Sequence, residues 1–378
     1  ISSGFNRATE NVNQVLNNLT GYDGRNIISF KQLFSDVFKR HASRDTENLE
    51  VSGTFVTREK QLPWRRPYIF ARVFFLLLIT CLVMSGCYAI FGYTASRLLP
   101  GIIFTGALAM PATLMIFFWE TNKPKNIGIF QILTVFFIGG AMSLFFTFIL
   151  DSMFPSFYGG YGYGNSFFIA LGTGIVEETA KVVVVYLIIR RSRNTWILNG
   201  LLIGACVGAG FAVFETMGYA LDALSVGGIA LARILFIRGV LSVGGHVIWT
   251  GIAGAALMIV QDTDVLDIHK IGKPEFFGLM AIPVTLHTLW DFVCSVVSNQ
   301  GFQWLFLGLI VVVGWIVIIK LINSGLLEFS VGKRPRYSKQ NQGYYSQQNN
   351  MQGRNNHNYN VRENNAPNFN NNGNNRRY

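Results

Sequence analysis

Eight mostly apolar stretches, each about 20 residues long, follow one another through the middle of the chain. They run approximately over 68–93, 100–119, 127–151, 166–190, 198–220, 238–260, 275–297 and 302–322. An α-helix of that length crosses the ~30 Å hydrocarbon core of a bilayer. Because backbone polar groups must be satisfied inside lipid, and no stretch alternates like a membrane barrel strand, the pattern predicts helices. The expected fold is therefore all-α, a polytopic membrane helix bundle of about eight transmembrane helices.

Composition agrees with that fold. The 378 residues are 51% hydrophobic and only 13% charged, with a mean hydropathy of +0.35, which is too apolar for a soluble domain of this length. Three parts are predicted: a polar cytoplasmic segment over 1–66, a transmembrane domain over 67–330, and a basic Asn/Gln-rich tail over 331–378. The tail has the low-complexity composition of disordered chains.

The polar N-terminal segment contains one amphipathic run at helical spacing, formed by Phe30, Leu33, Phe34, Val37 and Phe38. Two interpretations are open for this predicted helix. It either lies on the membrane surface or docks on the helix bundle.

The net charge of +11 raises the question of a nucleic-acid partner, but most of the excess lies in the two termini. The sequence therefore predicts a lipid bilayer and no nucleic acid as partner. Clusters of Lys and Arg occupy alternate loops and mark the cytoplasmic side, which puts both termini inside. These clusters are Arg58 to Arg66, Lys123 and Lys125, Arg190 to Arg193, Lys270 and Lys273, and Lys333 to Arg336. Arg233 and Arg238 fall on the predicted outer side, which suggests an interfacial or re-entrant helix.

Six ionisable side chains lie inside the apolar stretches. A charge at the bilayer centre costs roughly 2.5–3.5 kcal/mol, so such residues rarely face lipid. We expect them to converge on one polar cavity, where carboxylates and imidazoles activate water or bind a divalent metal. They are Glu177, Glu178, Glu215, His246, His287 and Asp291.

The adjacent glutamates Glu177 and Glu178 point ~100° apart on a helix, so both are not expected to face one substrate atom. Lys181 stands three and four residues further on and is able to pair with either. This spacing predicts that one glutamate acts as base or ligand, while the other is neutralised by Lys181 and orients its neighbour. The alternative is a buried ion pair that only fixes helix packing.

The remaining candidates lie on three other stretches. Gly204, Gly208 and Gly210 form a small-residue face that permits close helix approach before Glu215. Glu215 lies near the outer end of its stretch, where a purely interfacial role is an alternative. His246 alone is compatible with packing. His287 and Asp291 are stronger, because i, i+4 spacing lets a carboxylate fix the tautomer of an imidazole.

Four motifs on successive stretches now carry a resemblance. Glu-Glu-x-x-Lys, Phe-x-x-x-Glu, an Arg followed by Gly-His, and His-x-x-x-Asp resemble the PrsW-type intramembrane proteases. Those proteases are similar to the CAAX prenyl protease and bacteriocin-immunity superfamily. The resemblance covers about 68–322 and implies an eight-helix bundle that hydrolyses peptide bonds near the outer leaflet. It makes Glu177 or Glu178 the water-activating base.

By the same resemblance, His246 and His287 are metal ligands or groups that orient water and the oxyanion. This chain has Glu215 where the prenyl protease branch has His, and Asp291 where that branch often has Asn. Both changes add negative charge, which favours a divalent cation. Zn2+ held by His246, His287 and Glu178 is therefore expected, with no metal as the alternative. Lys181 and Arg238 are assigned orienting roles.

The expected activity is that of an intramembrane endopeptidase in a bacterial cell membrane. Its implied substrate is a membrane-anchored protein or peptide, for example an anti-sigma factor. Two alternatives come from other classes. A proton-coupled secondary transporter also uses intramembrane Glu, His and Asp, although no pair of broken helices recurs in two halves. A catalytically silent scaffold that binds peptides is the second.

Overall fold

The computed structural model describes residues 12–21, 28–39, 66–153, 163–190, 196–240, 242–261 and 271–331. All regular structure in these ranges is helical: α1 (12–20), α2 (Phe30–Leu33), α3 (Ile69–Phe91), α4 (Leu99–Thr121), α5 (Ile129–Met153), α6 (Tyr163–Ile189), α7 (Ile197–Val226), α8 (Gly228–Ile234, continued by a π-helical turn Leu235–Val240), α9 (His246–Val260), α10 (Pro274–Val296) and α11 (Gln300–Val331). Two 3₁₀ segments, Gly92–Leu98 and Ser242–Gly244, precede α4 and α9. This confirms an all-α membrane helix bundle. The predicted tail lies outside the described residues except for Val331.

Six helical stretches are long and apolar enough to cross a membrane: Ile69–Thr121, Ile129–Met153, Ile197–Val226, Gly228–Val260, Pro274–Val296 and Gln300–Val331. The first contains both α3 and α4, which fold back on each other beyond Gly92 (φ 58°), so that Cys81 Sγ lies 3.7 Å from the carbonyl oxygen of Ile102. Helix α6 is not among the six and carries three charged residues near its middle. The number of eight spans stays a prediction.

Two central helices, α7 and α9, touch backbone to backbone. A Cβ atom at Gly204 would overlap the carbonyl oxygen of Thr250, and one at Gly208 would overlap that of His246. The close approach predicted for this glycine face is confirmed. Gly210 serves a different neighbour, because its Cβ would overlap the carbonyl of Phe136 in the π-helical turn of α5. The position of His246, the first residue of α9, thus depends on the small residues of α7.

Buried polar side chains tie several helix ends together at one end of the bundle. The carboxylate of Glu120, on α4, accepts hydrogen bonds from the backbone N–H groups of Tyr68, Ile69 and Phe70 at 2.8–2.9 Å. Glu328, on α11, accepts one from the N–H of Ile197 at 2.8 Å. Unpaired N–H groups at a helix start are costly when buried, so these carboxylates act as caps from neighbouring helices. All these ends were predicted to face the cytoplasm, and they lie together.

The amphipathic N-terminal run docks on the bundle rather than lying free of it. The backbone N–H of Ile28 donates to Asn323 Oδ1 at 2.9 Å, and Asn323 Nδ2 donates to the Ile28 carbonyl at 3.1 Å. Leu33 is buried, and the Phe34 ring stacks on Phe117 with centroids 5.5 Å apart. The helix itself is shorter than the run predicted, because α2 ends at Leu33 and Phe38 is exposed.

We expect Glu120→Ala to lower the free energy of unfolding by about 2–4 kcal/mol, because three buried N–H groups lose a charged acceptor. Reversible unfolding in mixed detergent micelles measures the change. Asp222→Ala, at an exposed position of α7, serves as the control and should cost less than about 0.5 kcal/mol. Equal stability of the two variants would contradict the capping role of Glu120.

Candidate active site

The six candidate residues converge on one connected cluster. Helix α6 contributes Glu177 and Glu178, α7 contributes Glu215, and α9 begins with His246. Helix α10 contributes the remaining pair, and Lys181 and Arg238 join the same cluster, as expected for orienting groups. Four long helices and the short segment α8 therefore meet at one polar centre. The residues of α10 are His287 and Asp291.

Lys181 lies at the middle of this cluster with its side chain fully buried. Its ammonium Nζ is 3.0 Å from Glu177 Oε2, 2.9 Å from Glu178 Oε1 and 2.9 Å from His246 Nδ1. The sequence predicted that Lys181 would neutralise one glutamate and leave the other free. The structure differs, because the long lysine side chain ends between the two carboxylates and bonds to both.

Carboxylates surround the imidazole of His287. Its Nδ1 lies 3.0 Å from Glu178 Oε1, and its Nε2 lies 3.4 Å from Asp291 Oδ2. The predicted i, i+4 contact between His287 and Asp291 is present. Nε2 also lies 3.7 Å from Glu177 Oε2, which is too long for a direct hydrogen bond. A water molecule is able to bridge two polar atoms at such a separation.

Glu215 belongs to the cluster and is not an isolated interfacial charge. Its Oε2 lies 2.9 Å from His246 Nε2 and forms an ion pair with the Arg238 guanidinium. Arg238 Nε also reaches Thr216 Oγ1 at 3.4 Å. The pair fixes the second ring nitrogen of His246, so both nitrogens of that ring have protein partners.

The exposed fraction of the side chain differs from one residue of the cluster to the next. The side chains of Glu178 and Lys181 are 0% exposed and that of His287 is 3% exposed, whereas Glu177 reaches 12% and Asp291 35%. The site is thus closed behind Glu178 and open on the side of Asp291. Of the two adjacent glutamates Glu177 is the more exposed, and the side chain of Glu215 is 17% exposed.

Three aromatic side chains line the cluster and were not predicted as site residues. Trp249 stacks on His287 with ring centroids 4.6 Å apart, Phe211 lies 3.9 Å below the Lys181 ammonium, and Tyr219 lies 4.2 Å from the Arg238 guanidinium. Each follows or precedes a candidate by three or four residues, which puts it on the same helix face. The spacing of these aromatic residues along the sequence could therefore have predicted their place in the site. Aromatic faces next to cations stabilise them in a low-dielectric site.

One triad has the composition of a metal site. Donor atoms of Glu177, His246 and His287 all lie within 4.8 Å of one another. The expected carboxylate ligand was Glu178, but it is not part of this triad, and its Oε1 contacts the Nδ1 atom of His287. The geometry therefore favours Glu177 over Glu178 as the carboxylate that faces both histidines.

Comparison with known proteins places this cluster in a family. Residues 129–321, just over half of the chain, match the PrsW family intramembrane metalloproteases, and the matched range contains every residue of the cluster. The chain belongs to the PrsW family. The chain is also 25% identical over 231 residues to "Protease PrsW" of Clostridioides difficile (strain 630), a match that spans 58% of this chain and 89% of that protein. No solved structure matches it. This PrsW family member is an integral membrane protease.

The matched region excludes α1 to α4, so the site rests on the PrsW portion alone. Helices α3 and α4 pack beside that portion, and the docked segment around Phe34 covers them. These N-terminal parts support the bundle without contributing a side chain to the cluster among the described residues.

We expect Gly208→Ala to lower proteolysis by about 100-fold, because its Cβ overlaps the His246 carbonyl and displaces the start of α9. Cleavage of a co-reconstituted single-pass substrate measures the effect. Gly218→Ala is the matched control on the same helix, since a Cβ there meets nothing within 4 Å. Equal activity of the two variants would show that the glycine contact does not position His246.

Proposed function

We propose that this PrsW family member is an intramembrane endopeptidase that cleaves membrane-anchored proteins with a glutamate-activated water. One observation carries the proposal: Glu177 Oε2 and His287 Nε2 face each other at 3.7 Å on the open side of a buried charged cluster. A water held between them has a carboxylate to accept its proton and an imidazole to orient it. General-base catalysis requires this contact geometry.

In the proposed reaction, Glu177 removes a proton from the water as its oxygen attacks the scissile carbonyl carbon. The carbonyl π electrons move to the oxygen, which becomes an oxyanion. Glu177 then passes its proton to the amide nitrogen, the C–N bond breaks, and an acid and an amine leave. Because the same carboxylate takes and returns the proton, the reaction needs no second residue as acid.

His287 is assigned to the oxyanion. Glu178 and Asp291 lie at its two ring nitrogens, an arrangement that stabilises a ring with a proton on each nitrogen. The Nε2–H group, which orients the water before the attack, is then a charged donor for the oxyanion as it develops. Glu178 acts as a positioning residue, because it holds Nδ1 while remaining out of reach of the open side.

A divalent metal bound to Glu177, His246 and His287 would polarise the carbonyl and activate the water. The residue types fit such a site. Their donor atoms do not, since the Lys181 ammonium already contacts Glu177 Oε2 and His246 Nδ1, and Glu215 contacts His246 Nε2. No step of the proposed reaction uses a metal.

The proposed substrate is a membrane-anchored protein cut near the outer leaflet, with an anti-sigma factor as the example. A helical segment must unwind first, because its amides are shielded and internally hydrogen-bonded. Membership of a protease family weighs against the transporter and the silent scaffold. We also propose that the chain is related to the CAAX prenyl protease and bacteriocin-immunity superfamily.

The proposed orientation places both termini in the cytoplasm of a bacterial cell. Support comes from the helix ends tied by Glu120 and Glu328, which lie together and adjoin the basic segments. The charged cluster lies away from those ends, toward the C-terminal part of α10 at Asp291. The active site would then open toward the outer leaflet.

We expect Glu177→Gln to reduce cleavage by about 10²–10⁴-fold, because the amide cannot accept the proton of water. Glu178→Gln should also reduce cleavage, since it weakens the hold on His287. Reconstituted enzyme and substrate in one vesicle preparation provide the measurement, with Glu275→Gln on α10 as an active control. Full activity of both glutamine variants would remove the glutamate mechanism.

Single cysteines in place of Tyr163, Arg193 and Tyr345 test the orientation after the four native cysteines are replaced. We expect an impermeant maleimide to label the first position from outside intact cells and the other two only after lysis. The reason is the alternation of Lys and Arg among the loops. External labelling at position 345 would overturn the orientation.

A further inference from the structure

We propose that the Lys181 ammonium is the resident cation of this site, and that it keeps a divalent metal off the donors Glu177, His246 and His287. The inference concerns a lysine of this chain and deepens the proposed function, on which its catalytic meaning rests. It bears on whether this member of a family of metalloproteases binds a metal at these donors.

The Lys181 ammonium uses all of its hydrogen-bond donors. A lysine ammonium has three N–H donors and no acceptor. Lys181 Nζ has three acceptors at hydrogen-bond distance: Glu177 Oε2 at 3.0 Å, Glu178 Oε1 at 2.9 Å and His246 Nδ1 at 2.9 Å. The Phe211 ring lies 3.9 Å from Nζ on a further side. Every N–H group of the ammonium therefore has an acceptor, and these acceptors surround Lys181 Nζ as ligands surround a metal ion.

The lone pair of His246 Nδ1 is already used by Lys181. Lys181 carries no acceptor, so Nδ1 must accept the hydrogen bond and must be unprotonated. A metal–imidazole bond uses the same in-plane lone pair. The other nitrogen, Nε2, is engaged with Glu215 Oε2 at 2.9 Å. His246 therefore has no lone pair for a metal until Lys181 moves away.

The positive charge of Lys181 also takes the place that a metal ion would fill. Two carboxylates share the Lys181 ammonium in a fully buried position, which compensates its desolvation. If Lys181 left, Glu177 and Glu178 would lose the ammonium that they share, and a divalent ion would be the natural replacement. Lysine and metal are thus alternative cations for one set of acceptors.

The experiment is a Zn2+ titration of the full chain in lipid nanodiscs, followed by calorimetry. We expect one Zn2+ to bind Lys181→Met at least about tenfold more tightly than the wild type. Lys181→Arg keeps the charge and should resemble the wild type, as should the control Lys320→Met, which removes another buried lysine. Adding His246→Ala to Lys181→Met should abolish the gain. This readout needs no substrate, so failed proteolysis would not affect it.

Two results would overturn the proposal: one equivalent of Zn2+ held by the wild type as tightly as by Lys181→Met, or no gain in Lys181→Met. A second measurement uses only the wild type, in case the variant does not fold. With 15N-labelled histidine, His246 should show a protonated Nε2 and a bare Nδ1, with the signal assigned by its loss in His246→Gln. A proton on Nδ1 would mean that Lys181 does not bond to it, and the proposal would fail.

Discussion

A buried positive charge with three matched acceptors organises the functional half of this protein. An ion removed from water loses several kcal/mol of hydration, which only close partners restore. Lys181 obtains those partners from its own helix, through Glu177 and Glu178, and from α9, through His246. Helices α6 and α9 must therefore meet at this level of the bundle. The other contacts of the cluster extend outward from that centre, from Glu178 to His287 and from His246 to Glu215.

Small residues make that meeting possible. Gly204 and Gly208 let α9 lie against the backbone of α7, which sets the position of His246 relative to Glu215. A buried charge is also fully paired at the other end of the bundle, because the Glu120 carboxylate accepts hydrogen bonds from three N–H groups at the start of α3. The buried carboxylates named above are thus paired, Glu120 with backbone donors and Glu177, Glu178 and Glu215 with Lys or Arg. The pairing holds helix ends together at one level and the charged cluster at another.

One side of the site is fully enclosed, and the other side is accessible. Glu178 and Lys181 are fully enclosed, while Asp291 and Glu177 approach the open side. Proteolysis inside a membrane requires this asymmetry, because water and an unwound peptide must enter while the charges that position the reacting groups stay dry. Trp249 packs flat on His287 and restricts the ring that faces the carboxylates. The PrsW family places proteolysis in a membrane, and the cluster brings together carboxylates, imidazoles and a buried ammonium from four helices.

The sequence by itself predicted the membrane class, the approximate positions of the long apolar helices and the six candidate residues, because hydropathy and the cost of charge in lipid are properties of residues in order along the chain. It predicted 238–260 as one continuous span, whereas α9 begins only at His246. It also determined the contact of His287 with Asp291, since i, i+4 neighbours share a helix face. It did not determine that Lys181 bonds to both glutamates and to His246, that Glu177 rather than Glu178 faces the open side, or that the N-terminal run docks on the bundle. Those facts depend on how separate helices cross and how closely they approach. Helical periodicity gives the face of each helix but not the distance between two helices, which only the packed tertiary structure sets.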